Sequence, residues 1–342
     1  MKKIYVVGAD VHKKNTQLVY LNRYGKKIES IRMNTQSLEK YFANFPKVLI
    51  GMEVSIGSQY LAKKLEKLGH SVKVIPPSRI KAFYTGPKND ERDALAIAQA
   101  TMMHFVEGIQ IKPDEALIIQ GMIKQRSLII KQRVALCNQL RGVLVEQGIK
   151  FSQGKDALIS GASELLKNKK VFFYLKQLIH LSLKNIKYHL KLESELNEKI
   201  IKISKGSPAT KKLQTIPGFG PLNAVAFLVT IGNPSVYKSA RDVSAFLGLV
   251  PRQYSSGEKI RLGRISKKGP KYTRTLLIHG ARSFMFNGNR RDKNKQWLLS
   301  IAKRRGYNKA IVAWANKMAR IAWAVLVKDN PYQRKIVEPL AA

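Results

Sequence analysis

The segment IYVVGAD, residues 4–10, begins the part of the sequence that decides the fold. It is a β-rich run, and two further strand-like runs follow at residues 16–22 and 27–33. The last of these alternates apolar and polar side chains, which is typical of a half-buried strand. Because the connections are short and residues 22–26 include a glycine, we predict an antiparallel meander.

Two more strands are indicated further along the chain. Residues 48–53 form a continuous apolar run that ends in Glu53, and residues 72–75 form a second run that stops at a Pro-Pro pair. Helical patterns accompany these strands, at residues 37–45 and 58–68 and from Asp90 onward. The predicted order is three antiparallel strands followed by helix, strand, helix, strand and helix. This is the order of an RNase H-like sheet, so we expect an α/β first domain.

The charge of the chain is strongly positive. The 342 residues include 62 Lys and Arg against 22 Asp and Glu, a formal net charge of +40. The hydrophobic content of 44% is ordinary for a globular protein, which excludes a wholly disordered chain. A charge of this size requires a polyanionic partner, and nucleic acid is favoured over an anionic membrane surface.

Cysteine usage and hydropathy exclude other classes of protein. Cys137 is the only cysteine, so a disulfide framework and a cysteine-based zinc site are excluded, and its apolar surroundings predict a buried, inert thiol. The first apolar run stops at Asp10, too early for a signal peptide, and we find no uninterrupted apolar run of membrane-spanning length. We therefore expect a cytoplasmic, nucleoid-associated protein with no membrane partner.

Four acidic residues occupy positions that suggest a metal site. Asp10 and Glu53 end neighbouring strands of the expected sheet, and Asp90 and Asp93 share one face of a helix start. Clustered carboxylates are costly unless a cation neutralises them, and Mg²⁺ or Mn²⁺ prefers carboxylate oxygen. Alternatively, each acid is a local turn former or helix cap. The six histidines, at positions 12, 70, 104, 180, 189 and 279, form no cluster at ligand spacing.

The middle of the chain is predicted to be helical. Two long amphipathic helices fit residues 116–147 and 170–203, with an irregular, glycine-containing stretch between them. They form either a spacer or oligomerisation arm or a plain helical subdomain. We thus expect domains at residues 1–112 and 113–205, followed by a basic, mainly helical domain at 206–342.

Two motifs in the last domain are candidates for phosphate binding. In LQTIPGFGPLNA, residues 213–224, Gly218 and Gly220 suggest the turn of a helix-hairpin-helix, or otherwise an ordinary packing corner. In LVPRQYSSG, residues 249–257, Ser255 and Ser256 sit at a turn that alone would be merely structural. Seven cations flank this turn: Arg252, Lys259, Arg261, Arg264, Lys267, Lys268 and Lys271. They make it a plausible place to hold a scissile phosphate, where a metal-activated serine hydroxyl would attack.

These motifs together resemble a known family. The acids in GADVHK, GMEVSIGSQYLAKKLEKLGH and KNDERDALAIAQA are similar to the DEDD set of transposases of insertion-sequence family one-ten, subgroup eleven-eleven. The later blocks LQTIPGFGP, LGLVPRQYSSGEKIRLGRISKKGPKYTRTLLIHGAR and NKAIVAWANKMARIAWAVL resemble the C-terminal domain of the same transposases.

The resemblance implies a fold and a mechanism. It implies a RuvC-like first domain, a coiled-coil arm, and a phosphoserine intermediate for which Ser256 is the nucleophile and Ser255 the fallback. It also implies a composite site between subunits of a dimer or tetramer. DNA at the element ends and target, and a structured non-coding guide RNA, would be the partners.

Three other functions remain open at this stage. A junction-resolving endonuclease would use the same four acids with water as the nucleophile, and a DNA invertase would flip a fixed segment. A non-catalytic nucleic-acid-binding protein would need the acids only for structure.

Overall fold

The computed structural model describes residues 4–87, 89–256 and 259–336. The chain divides into two compact units, one ending at Pro113 and one beginning at Asp114. The first unit is a mixed α/β structure and the second is mostly helical.

The first unit is built on a five-stranded sheet in the order β3-β2-β1-β4-β5. Its strands are β1 Val6–Val11, β2 Asn15–Leu21, β3 Lys27–Asn34, β4 Leu49–Glu53 and β5 Ser71–Ile75. The first three strands pair antiparallel, which confirms the predicted meander, whereas β4 runs parallel to both β1 and β5. A parallel pair needs a crossover, and helices supply it here.

Helices cover both faces of this sheet. They are α1 Leu38–Ala43, α2 Ser58–Lys67, α3 Pro77–Ile80 and α4 Asp90–Met102. One core cluster joins α1 and α2 to the sheet through buried side chains that include Phe42, Ile50 and Leu65. Another joins α4 to the sheet through Val6 and Ala98, among others. Because successive side chains of a strand point to opposite faces, the sheet contributes to one apolar layer on each of its faces.

The second unit contains nine helices and a two-stranded sheet among its described residues. The helices are α5 Asp114–Glu146, α6 Lys155–Lys167, α7 Phe173–Gly206, α8 Pro208–Gln214, α9 Pro221–Ile231, α10 Ala240–Phe246, α11 Lys271–Asn287, α12 Lys293–Arg305 and α13 Tyr307–Lys328. The strands β6 Pro251–Gln253 and β7 Leu262–Ile265 pair antiparallel. The long helices α5 and α7 pack together, and Glu193 of α7 pairs with Arg133 of α5 at 3.1 Å.

The irregular stretch predicted between the two long helices is in part wrong, because it contains α6. Leu158 and Ala162 lie on one face of this helix and are fully buried with Leu140 and Ile179. The helix forms despite Gly161, because a single glycine inside an amphipathic helix costs only about 1 kcal/mol. Cys137 belongs to the same cluster and is buried, as predicted, and burial raises the pKa of its thiol.

The core of the second unit is organised around α13. Trp314 is fully buried, and its ring centroid lies 5.0 Å from that of Phe284, so this tryptophan belongs to the core. Among the described helices, α13 alone is long and apolar enough to cross a membrane, by length and composition only. Its Trp314, Met318 and Ala322 are all buried in the protein core, which accounts for that apolar character.

Candidate active site

Asp10 and Glu53 reach the same edge of the sheet because β1 and β4 run parallel. Their register pairs Val6 with Leu49 and, at the other end, Ala9 with Met52. Asp10 and Glu53 are the next residue on each strand, as the sequence predicted. Asp10 is only 8% exposed, so its carboxylate is enclosed by neighbouring groups.

Helix α4 brings the other two acids to this edge. The side chain of Asn89 caps the helix by accepting a hydrogen bond from the amide of Arg92 at 2.8 Å. Asp90 and Asp93 therefore lie in the first helical turn, and the cap role considered for Asp90 belongs to Asn89. The helix approaches β1 closely because Gly8 has no side chain: a Cβ there would lie 2.2 Å from the carbonyl oxygen of Ala94.

The pKa of Asp10 is shifted by burial, by His12 and by the charges of two other acids. Burial raises the pKa of Asp10, His12 opposes this rise through its charge and a hydrogen bond, and the charges of Asp93 and Asp90 add to the rise. Each acid in such a cluster makes ionisation of the next less favourable. A cation bound among them would relieve this repulsion.

Tyr84 is a member of the site that the sequence did not reveal. It lies between α3 and α4, where no periodic pattern marks it. Burial and the charges of Glu53, Asp93 and Asp10, together with a hydrogen bond to Glu53, raise the pKa of its hydroxyl to about 12. The phenol therefore stays protonated at neutral pH and is a hydrogen-bond donor for Glu53. The charges of three of the four acids therefore act on this one hydroxyl group.

His12 is a second residue of the site that was not predicted from the sequence. Its Nε2 lies 3.1 Å from Oδ2 of Asp10 and 3.9 Å from Oδ1 of Asp90. Histidine spacing gives no signal for this residue, because its neighbours in the site are carboxylates. The available signal was its position two residues after Asp10, since alternate residues of a strand point to the same side.

The donor groups fit a divalent cation. A carboxylate oxygen of Asp10, a carboxylate oxygen of Asp90 and a ring nitrogen of His12 lie within 4.8 Å of one another at this edge, and the charges of Glu53 and Asp93 act on the neighbouring Tyr84. Hard divalent ions such as Mg²⁺ and Mn²⁺ prefer oxygen ligands. In such a site an ion offsets the like charges and polarises a phosphate oxygen.

The serine turn is the connection between β6 and β7. Ser255 and Ser256 are both exposed, while Gly257 of the predicted turn lies outside the described residues. The hydroxyl of Ser255 accepts hydrogen bonds from Nε2 of Gln253 at 3.0 Å and from the amide of Arg261 at 3.3 Å. The Ser256 hydroxyl, in contrast, has no hydrogen-bond partner among the residues that the structure describes.

The cations predicted around this turn all face solvent. Exposed side chains are those of Arg252, Lys259, Arg261, Arg264, Lys267, Lys268 and Lys271. All seven lie between Arg252 on β6 and Lys271 at the start of α11, and this exposed basic segment is called the basic strip. A strip of this kind attracts a phosphate backbone and binds it in a salt-dependent manner.

A buried arginine fixes the base of this hairpin. Nη1 of Arg274 donates hydrogen bonds to the carbonyl oxygens of Leu247 and Lys268, both at 2.9 Å. Arg274 is only 7% exposed and lies on α11, whereas Leu247 follows α10. The two ends of the serine-bearing segment are thereby held to the helical core.

The two glycines of the candidate hairpin-helix turn differ in their surroundings. Gly218 has φ +88°, and a Cβ there would lie 2.5 Å from the carbonyl oxygen of Gly280 on α11. Gly220 is the exposed residue before α9, and a Cβ there would meet nothing within 4 Å. The turn is therefore packed at Gly218 and open to a ligand at Gly220.

Comparison with known proteins agrees with this arrangement. Residues 7–148 match a transposase model named for the DEDD motif and IS110, and residues 210–296 match the model of the transposase IS116/IS110/IS902 family. The chain is 32% identical to the transposase for insertion sequence element IS1111A of Coxiella burnetii, over 97% of this chain and 92% of the relative. It is 33% identical to a probable family 20 transposase of Pseudomonas aeruginosa, over 96% and 98%.

A more distant relative is named for a different activity. The pilin gene-inverting protein of Moraxella lacunata is 23% identical over 79% of this chain and 76% of the relative. The nearly full-length matches above nevertheless place the protein in one class, the DNA transposases. Within that class, the chain belongs to the IS110 family.

Proposed function

We propose that this transposase mobilises an insertion sequence by cutting and rejoining DNA at a metal site formed by Asp10, Glu53, Asp90 and Asp93. The convergence of these carboxylates at one sheet edge carries the proposal. Mg²⁺ or Mn²⁺ bound there would neutralise charge on the scissile phosphate and activate the attacking hydroxyl. The strand order β3-β2-β1-β4-β5, with the first three strands antiparallel, supports an RNase H-like, RuvC-like fold for this part.

Ser256 is the proposed nucleophile. Its oxygen forms a bond to phosphorus while the bond from phosphorus to one DNA oxygen breaks, and the proton of the serine hydroxyl ends on that leaving oxygen. A DNA hydroxyl then attacks the phosphoserine, which rejoins the DNA and restores the serine. The exposed Ser256 hydroxyl supports this role over Ser255, whose hydroxyl already accepts two hydrogen bonds.

The remaining parts of the chain are proposed to hold nucleic acid and join subunits. The exposed basic strip and the turn at Gly218 and Gly220, as a helix-hairpin-helix, would contact phosphates of the DNA ends, the target and a guide RNA. The net charge of +40 supports such polyanionic partners. Residues 113–205 would form the arm of a dimer or tetramer in which one subunit supplies the acids and another the serine.

A mobilisation assay tests the metal site. Cells carry the full element on one plasmid and a target on another, with wild-type protein or a variant supplied separately. Asp10→Asn and Asp93→Asn are expected to lower mobilisation at least about 100-fold, as loss of transition-state charge stabilisation does. Glu66→Gln changes an exposed acid on α2 and should leave mobilisation unchanged. Normal mobilisation by Asp10→Asn would disprove the proposed site.

DNA inversion is the second candidate, favoured by the similarity to a pilin gene-inverting protein. It would use the same acids and serine on two recombination sites within one DNA molecule. Reporters that differ only in the relative orientation of the two sites distinguish the functions. Recombination confined to the inverted arrangement would favour the invertase.

A further inference from the structure

His12 lies beside two of the acids without any role in the function proposed so far. Its Nε2, a carboxylate oxygen of Asp10 and a carboxylate oxygen of Asp90 all lie within 4.8 Å of one another. Residues 10 and 12 reach the same side because they are two apart at the end of β1. We propose that His12 is itself a ligand of the divalent ion, so that the site has a mixed nitrogen and oxygen ligand set. This inference rests on the proposed metal site and extends it.

The distances suit ligation with little movement. A divalent ion lies about 2.1 Å from its nitrogen and oxygen ligands, so two ligand atoms are at most about 4.2 Å apart. The separations from His12 Nε2 to Asp10 Oδ2 and Asp90 Oδ1, 3.1 and 3.9 Å, are within this limit. The carboxylates and the imidazole therefore need only small rotations to enclose an ion.

The backbone of His12 is fixed, whereas its ring is accessible. The amide of His12 donates to the carbonyl of Asn15 at 3.1 Å, and its own carbonyl accepts from the hydroxyl of Thr35 at 2.8 Å. The side chain of His12 is 56% exposed, so an ion can reach Nε2 from solvent. A ring presented from a fixed backbone loses less entropy on binding than one on a mobile loop.

Ligation by His12 changes which metal the site prefers. Mg²⁺ favours oxygen ligands, whereas an imidazole nitrogen adds more to the binding of transition ions. The mixed set should therefore bind Mn²⁺ and later transition ions more tightly than Mg²⁺. Without His12 the remaining oxygen ligands should discriminate less between these ions.

Pulsed electron paramagnetic resonance of Mn²⁺ detects the nitrogen ligand directly. Full-length protein is loaded with one equivalent of Mn²⁺, and ¹⁴N coupling is measured for wild type, His12→Gln, His104→Gln and Asp10→Asn. His104 is an exposed histidine of the same unit and gives the matched control. We expect directly coordinated nitrogen in wild type and His104→Gln and none in His12→Gln. Mn²⁺ affinity should fall about tenfold in His12→Gln, with a smaller fall for Mg²⁺.

The outcomes separate this inference from the proposed function. Nitrogen coupling that persists in His12→Gln would overturn the role of His12. So would the absence of nitrogen coupling in wild type, provided that Asp10→Asn still abolishes Mn²⁺ binding. Either result would leave the carboxylate site intact. Mn²⁺ binding that is indifferent to Asp10→Asn would overturn both. Circular dichroism of each variant checks that it is folded.

Discussion

Gly8 and Gly51 are partners across β1 and β4, and both lie beneath helix α4. A Cβ at Gly8 would lie 2.2 Å from the carbonyl oxygen of Ala94, and one at Gly51 would lie 1.7 Å from the hydroxyl of Thr101. The paired glycines thus let α4 rest directly on the two strands that end in Asp10 and Glu53. This close approach positions the helix start that carries the other two acids.

Replacement of Gly8 by alanine should disturb both stability and the metal site. The new methyl group meets backbone that cannot turn away, so Gly8→Ala is expected to cost at least about 2 kcal/mol of unfolding free energy. Displacement of α4 should also weaken Mn²⁺ binding. Urea unfolding and Mn²⁺ titration measure the two effects. Gly121→Ala is the control, because a Cβ at that position in α5 meets nothing within 4 Å. Equal stability of the two variants would contradict the close packing of α4.

The raised pKa of Asp10 predicts an unusual dependence of stability on pH. Because burial and neighbouring acids raise this pKa above 3.8, the folded metal-free protein binds a proton more tightly than the unfolded chain. The stability contributed by that proton is lost as pH rises through the window from 3.8 to the raised pKa. Asp10→Asn carries no such loss, so at pH 7 in chelator it should unfold at the same or a higher temperature than wild type.

Bound metal should reverse the order of the unfolding temperatures of wild type and Asp10→Asn. Wild type gains stability from Mn²⁺ by mass action, whereas Asp10→Asn should not. Thermal unfolding with chelator and with excess Mn²⁺ provides the measurement. A wild-type protein that is clearly more stable than Asp10→Asn in chelator at pH 7 would show that the buried carboxylate is compensated without metal.

The Tyr84 hydroxyl should act by orienting Glu53. Removal of that hydrogen bond in Tyr84→Phe leaves the ring in place and is expected to weaken metal binding about tenfold, as loss of such a supporting group does. Tyr24→Phe is the control, because Tyr24 is 76% exposed in the same unit. Mn²⁺ titration of both variants tests the role, and unchanged binding in Tyr84→Phe would exclude it.

The turn before α9 offers a pair of substitutions with opposite expected effects. Gly218→Ala should destabilise the second unit by at least about 2 kcal/mol, because the left-handed backbone and the Gly280 carbonyl both oppose a side chain. Gly220→Ala should preserve stability and weaken nucleic-acid binding, because its methyl group lies where a phosphate would approach. Urea unfolding and DNA-binding titrations separate the effects. Normal DNA binding by Gly220→Ala would contradict a phosphate contact at this turn.

Much of the first unit was predictable because strand periodicity and short turns are local signals. The meander of β1 to β3 and the strand-end positions of Asp10 and Glu53 followed from them. Tyr84 was not predictable, because its place depends on how an irregular segment folds over the sheet edge. The proximity of His12 to Asp10 was predictable, since it follows β1 two residues after Asp10, but its spacing from the other histidines gives no metal-site signal.

In the second unit, sequence patterns identified the long helices better than the segments between them. The amphipathic patterns of residues 116–147 and 170–203 predict α5 and α7, whereas Gly161 within α6 is a local signal for irregular structure. The role of Arg274 could not be predicted, because its acceptors Leu247 and Lys268 are set by the meeting of three separate segments. Such tertiary hydrogen bonds leave no periodic trace in sequence.

The central claim is that the acids act with a serine nucleophile, and a trapped intermediate tests it most directly. Protein, Mg²⁺ and the element's transcript are incubated with a DNA end whose leaving strand is a short fragment that diffuses away after cleavage. Digestion and mass spectrometry then locate the attached nucleotide. We predict a phosphoserine on Ser256 that is lost in Ser256→Ala and in Asp10→Asn and retained in Ser255→Ala. Metal-dependent cleavage with no covalent adduct, or an adduct on another residue, would contradict the account.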